Sequence, residues 1–114
     1  MIGRGGVFKE TVDGKDVYFH FGVLSAVHTE EKTGLVISDV FKKITSAKIL
    51  LAYFWGGAVA YNEINGIKEE VTVANVSVWM DSIGALRLYE IYSQSIQSPA
   101  SKNGKAPKEA EPVA

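Results

Sequence analysis

The chain has no cysteine, which excludes disulfides, thiolate chemistry and every zinc site built on sulfur, and fits a cytosolic setting. Its three prolines all fall in the last seventeen residues, SPASKNGKAPKEAEPVA, where one valine is the only large apolar side chain. Residues 98–114 therefore read as a disordered polar tail and residues 1–97 as a single domain with one modest core. Clustered cations are missing beyond Lys42-Lys43. Twelve Lys and Arg stand against thirteen Asp and Glu, and the tail takes three lysines and two glutamates, which leaves the folding part at -2. Without a basic patch to release counterions, nucleic acid is not an expected partner. The start, MIGRGGVFKE, lacks the basic and apolar regions of a secretory signal, so export by that route is not expected. The uncharged stretch ILLAYFWGGAVAY, Ile49 to Tyr61, has only thirteen residues. That is roughly 20 Å of helix, too short for the ~30 Å core of a bilayer, so no membrane span is expected.

What is present reads as a hairpin followed by helices. Asp13-Gly14 separates two β-prone runs, Val7 to Val12 and Lys15 to Phe21, the pattern of a tight hairpin. In the second run Val17, Phe19 and Phe21 form the inward face and Asp16, Tyr18 and His20 the wet one. A short helix is expected from about Val23 to Lys32, closed by Gly34. Ile37, Val40, Phe41 and Ile44 fall at i, i+3, i+4 and i+7 of a second, with Ser38 as its N-cap and Lys42-Lys43 outward. Thr45-Ser46 caps the uncharged stretch, which is apolar around the whole wheel and must be covered on all sides. Gly56-Gly57 in its middle weakens a helix by roughly 1 kcal/mol per glycine, so the pair serves close packing, a kink or a break. Asn62 to Val71 is turn-rich, with Asn65-Gly66 as a loop tip or the turn of a second hairpin. Thr72 caps a helix with Val73, Val76, Trp79, Met80 and Ile83 on its apolar face. Gly84 interrupts the pattern, leaving two helices with a bend or one long kinked helix both open, and beyond it Leu88 or Tyr89, Tyr92 and Ile96 fall on one stripe. The fold class is α+β: an N-terminal β-hairpin packed on four to five short helices.

No catalytic constellation is legible. His20 and His28 lie on different elements without the spacing that holds a metal, so no metal or other cofactor is expected. Glu30-Glu31 and Glu69-Glu70 are adjacent pairs whose side chains diverge on a helix, and they read as solvated charge. The glycines of MIGRGG precede a strand and lack the ending of a phosphate loop. Thr72 to Ile96 could imitate a helix-turn-helix, but ALRLYEIYSQSIQ carries one arginine and one glutamate, a poor match for a duplex. The chain is not expected to be an enzyme.

Aromatics are abundant, with five Phe, five Tyr and two Trp. Tyr53, Phe54 and Trp55 are consecutive and spread over about 200° of a helix, so one helical face cannot bury all three. Either this helix is central in the domain or part of its surface meets another subunit or partner. The residues expected to supply partner-binding area are Tyr53, Phe54, Trp55 and Tyr61, with Trp79 and Tyr92 second. Core packing is the competing reading for each, and self-association into a homo-oligomer is a further possibility.

The order of features resembles the small tail assembly chaperones of long-tailed bacteriophages. It rests on YFHFG, EEKTG, ISDVFKKI, AYFWGGAVAYN and VTVANVSVWMD, the last with Val76, Trp79, Met80 and Asp81 in a V-x-x-W/F-L/M-D pattern, over about Asp13 to Gln97. The resemblance implies a non-enzymatic protein of the host cytoplasm that binds the tape measure protein. It would keep that protein's apolar helical segments soluble and promote assembly of tail tube protein around it. A structural subunit of a phage particle, such as a tail tube, connector or decoration protein, is the alternative. The slightly basic, proline-containing tail departs from the acidic, helix-rich C-terminus frequent in the family.

Overall fold

Asp13 and Gly14 both take left-handed backbone, with φ of 52° and 77°, the geometry that joins two strands through a two-residue turn. β1 (Val7–Val12) and β2 (Lys15–His20) pair antiparallel with Val12 opposite Lys15 and Phe8 opposite Phe19. The computed structural model describes residues 6–97, so the expected polar tail lies outside the described residues. Five helices follow the hairpin: α1 (Val23–Thr33), α2 (Ile37–Lys42), α3 (Ala47–Ile64), α4 (Val73–Ile83) and α5 (Ala85–Ile96). The architecture is the α+β arrangement expected.

α3 is the centre of the domain. The hairpin, α1 and α4 pack around it, which is why its sequence has no polar face. Phe19 of β2 and Phe54 of α3 are fully buried and meet edge to face with ring centroids 5.2 Å apart. Burying each such ring contributes about 1.5–3 kcal/mol from area alone. Val40, Val76 and Ile91 bring α2, α4 and α5 into the same core.

Of the three roles open to Gly56-Gly57, close packing is the one realised, because α3 runs unbroken through the pair. A Cβ on Gly56 would sit 2.5 Å from Thr29 Oγ1 and 2.8 Å from the Ser25 carbonyl oxygen of α1. One on Gly57 would sit 2.7 Å from the Phe21 ring. Thr29 and Ser25 are the small buried residues of α1 at this crossing, and the Thr29 hydroxyl donates to the Ser25 carbonyl at 2.8 Å.

Several helix ends follow the sequence and one does not. Gly34 closes α1 in the left-handed region, and its N–H donates to the Glu30 carbonyl. The Ser46 hydroxyl accepts from the Ile49 N–H, while Thr72 and Asn75 exchange side-chain and main-chain bonds at the start of α4. Gly84, at φ 92°, separates α4 and α5 into two helices. Ser38, however, does not cap α2. The helix starts at Ile37, whose N–H donates to Glu30 Oε2 at 2.8 Å, so a carboxylate from α1 does the capping. Glu30 is therefore structural and not the solvated charge expected of it. On α5 Leu88 is buried and Tyr92 packs against the core as expected, but Ile91 is the other buried residue and Ile96 is 47% exposed, so the stripe departs from the expected one at its end.

Candidate functional site

The end of β2 and the facing ends of α1, α2 and α5 leave an open groove of about 440 Å³. Phe21, Ala26, Ile37, Phe41, Tyr53 and Ile96 line it, interrupted by Ser25, Ser95 and His20. Phe21 and Tyr53 stack face to face with ring centroids 4.7 Å apart. Phe41 leans edge-on against both Tyr53 and Tyr92, with centroids about 6 Å away. The shortness of α2, one and a half turns, leaves Phe41 at the surface, 37% exposed, while Val40 beside it is sealed. Ile96 is 47% exposed because it sits on the last turn of α5. Val23 and Val27 extend exposed apolar surface along α1. Among the described residues no carboxylate, lysine or arginine lines the groove.

The hydroxyls inside the groove are satisfied locally. The hydroxyls of Tyr53 and Ser95 lie 2.7 Å apart, and Ser95 donates to the Tyr92 carbonyl at 2.6 Å. Burial pushes the Tyr53 phenol up to about 12, against the lowering influence of the Ser95 hydroxyl, and burial likewise raises Tyr92. Both tyrosines stay neutral at physiological pH, so neither brings charge to the groove.

A second, smaller cleft of about 300 Å³ lies beside β2. Tyr18 and Tyr61 stack in it at 4.6 Å and 8°, and Ala58, Trp79, Glu69 and Glu70 also line it. Its chemistry is aromatic and acidic.

The six residues expected to bind a partner are thus dispersed. Phe54 has no exposed surface and Tyr53 only 5%, so neither offers the free aromatic area expected of it; α3 is enclosed on the faces that carry them. Tyr53 still contributes one ring wall to the apolar groove, where Tyr92 supports Phe41. Tyr61 and Trp79 meet in the acidic cleft, the latter half-buried against Phe19. Trp55 belongs to neither opening. Its indole N–H donates to the Val71 carbonyl at 3.0 Å, and Lys32 Nζ lies 4.4 Å above its ring, so it clamps the chain between α3 and α4. The sequence pattern places Phe41 and Ile96 on core-facing stripes and Tyr18 on the wet face of its strand. Their exposure or pairing depends on which elements become neighbours, for which no local signal exists.

His28 bridges α1 and α3, its Nε2 lying 2.6 Å from Glu63 Oε1. Among the described residues there is no group of three His, Asp or Glu side chains arranged to hold a metal ion. No helix among them is long and apolar enough to cross a membrane. Comparison with protein-family models, curated proteins and solved structures finds no match.

Proposed function

We propose that this chain is a non-enzymatic binding protein that shelters apolar helical segments of a partner in the groove between β2, α1, α2 and α5. The observation that carries the reading is the groove itself, an opening lined mainly by apolar and aromatic side chains, whose ring walls and exposed Phe41 and Ile96 match the apolar side of an amphipathic helix. In the manner of the phage tail assembly chaperones that the sequence resembles, the partner would be the tape measure protein. Tail tube protein would then assemble around it in the host cytoplasm.

Magnitudes favour a transient holder over a permanent subunit. Two or three apolar side chains seated in the groove gain about 1.5–3 kcal/mol each. Association costs an estimated 4–15 kcal/mol, so one groove binds one segment weakly. A long partner with repeated amphipathic segments gains retention from many weak contacts and is released as the contacts are replaced.

The test is co-expression with the longest helix-rich protein encoded in the same genome. Recovery of that protein in the soluble fraction, bound to this chain, supports the reading. A partner that stays insoluble while this chain is found in finished particles refutes it in favour of a structural subunit.

A further inference from the structure

β2 has one paired edge and one open edge. With the hairpin closed at Asp13-Gly14, the pairs Val12/Lys15, Glu10/Val17 and Phe8/Phe19 exchange main-chain hydrogen bonds. The N–H and C=O groups of Asp16 and Tyr18 therefore face away from β1, and none of them has a partner among the described residues. This edge borders the smaller cleft, which four consecutive residues of β2, Lys15 to Tyr18, line.

The chain that follows α3 lines the same cleft through Ile67 and Glu69 to Val71. Glu69 to Val71 belong to no helix or strand, yet they are fixed in place. The Glu69 carbonyl accepts from Asn62 Nδ2 at 3.1 Å and the Val71 carbonyl from Trp55 Nε1 at 3.0 Å. The N–H groups of Glu69, Glu70 and Val71 have no hydrogen-bond partner among the described residues. A cleft bordered by an unpaired strand edge and lined by a pinned, unpaired segment is a template for one more strand.

Its charge selects the occupant. Lys15 is outnumbered by Asp16, Glu69 and Glu70 around the opening, and neither glutamate has an ion-pair partner among the described residues. The stacked Tyr18–Tyr61 pair lines the same cleft, and its faces attract a cation. An opening of about 300 Å³ has room for one or two side chains, the lower end of ligand sites. A second copy of this chain would set Asp16, Glu69 and Glu70 against their own counterparts, an arrangement that like charges oppose.

We propose that the open edge of β2 docks an extended segment of another protein that carries a lysine or arginine flanked by β-prone residues. The segment adds beside β2 as a third strand, and its cationic side chain lies over the tyrosine pair beside the acidic side chains. This docking site is separate from the apolar groove in position and in chemistry, and it stands whether or not the groove holds a helix.

The test pans a displayed library of random nonapeptides against the full chain. Recovered peptides are expected to share a lysine or arginine between β-branched residues. The double variant Glu69→Lys/Glu70→Lys should weaken their binding by about tenfold or more, because it reverses two exposed charges. Hydrogen exchange at the Asp16 and Tyr18 amides should slow at least about tenfold in the complex, the mark of new main-chain bonds. Phe41→Asp should leave this binding unchanged. Both glutamates are exposed, so an unaltered melting curve of the double variant separates lost docking from lost folding. Failure to recover any peptide, recovery of peptides indifferent to the double variant, unchanged exchange at Asp16 and Tyr18, or self-association through this edge would each overturn the proposal.

Discussion

Gly56→Ala sets two effects of opposite sign against each other. In an isolated helix the substitution stabilises by about 1 kcal/mol, since glycine is the poorer helix former. Here the added methyl would meet Thr29 Oγ1 at 2.5 Å and the Ser25 carbonyl oxygen at 2.8 Å. Rotating Thr29 breaks its bond to that same carbonyl and still leaves the main-chain contact, so α1 itself must move away from α3. Overpacking of this kind costs about 1–3 kcal/mol, and a clash with main chain belongs at the upper end. The expected net loss is about 2 kcal/mol, which lowers the melting temperature of a domain this size by roughly 8–16 °C. Gly22→Ala is the control, because a Cβ there has nothing within 4 Å and the backbone is extended. Thermal melting of the two variants followed by circular dichroism decides the matter. A Gly56→Ala protein as stable as the parent, or more so, would refute the close-packed crossing of α1 and α3.

Raising the pH tests the groove wall. Tyr53 stays protonated to about 12 in the folded chain, whereas an unfolded tyrosine ionises near 10. Its contribution is complete below pH 10 and is lost as pH rises toward 12, a decline of about 2–3 kcal/mol measurable by urea unfolding alongside phenolate absorbance. Trp55→Phe removes the donor to the Val71 carbonyl and should cost about 1 kcal/mol, with faster proteolytic cleavage between α3 and α4. Cleavage no faster than in the parent would mean that the indole is not the clamp. Arg87→Met should lower stability by about 1–2 kcal/mol in chemical denaturation. The guanidinium donates at 2.8 Å and 3.1 Å to a largely buried Glu10 that would lose its partner.

Elements that depend on neighbours in sequence were legible. Asp13-Gly14 encodes its hairpin because left-handed residues are needed at both turn positions, and Gly34, Ser46, Thr72 and Gly84 mark helix ends for equally local reasons. Features that depend on neighbours in space were not. Ser38 had the right chemistry for a cap, but Glu30, seven residues before Ile37, took the role once α1 and α2 were placed side by side. The run Tyr53-Phe54-Trp55 announced a helix covered on all sides without saying by what. The hairpin and α1 cover two of its flanks, and the surface expected from these residues moved to Phe41 and Ile96. The pairing of Tyr18 with Tyr61 joins a strand position read as wet to a helix position read as sticky, and no periodicity links the two.

The most direct test of the proposed helix-sheltering role is the soluble yield of the helix-rich partner when co-expressed with the parent chain, with Phe41→Asp, and with Tyr61→Ala. Phe41→Asp places a carboxylate at the mouth of the apolar groove, whereas Tyr61 lies in the other cleft. The account expects the partner to be soluble with the parent and with Tyr61→Ala, and to aggregate with a Phe41→Asp chain that itself remains folded. Equal rescue by all three, or rescue by none, would contradict it.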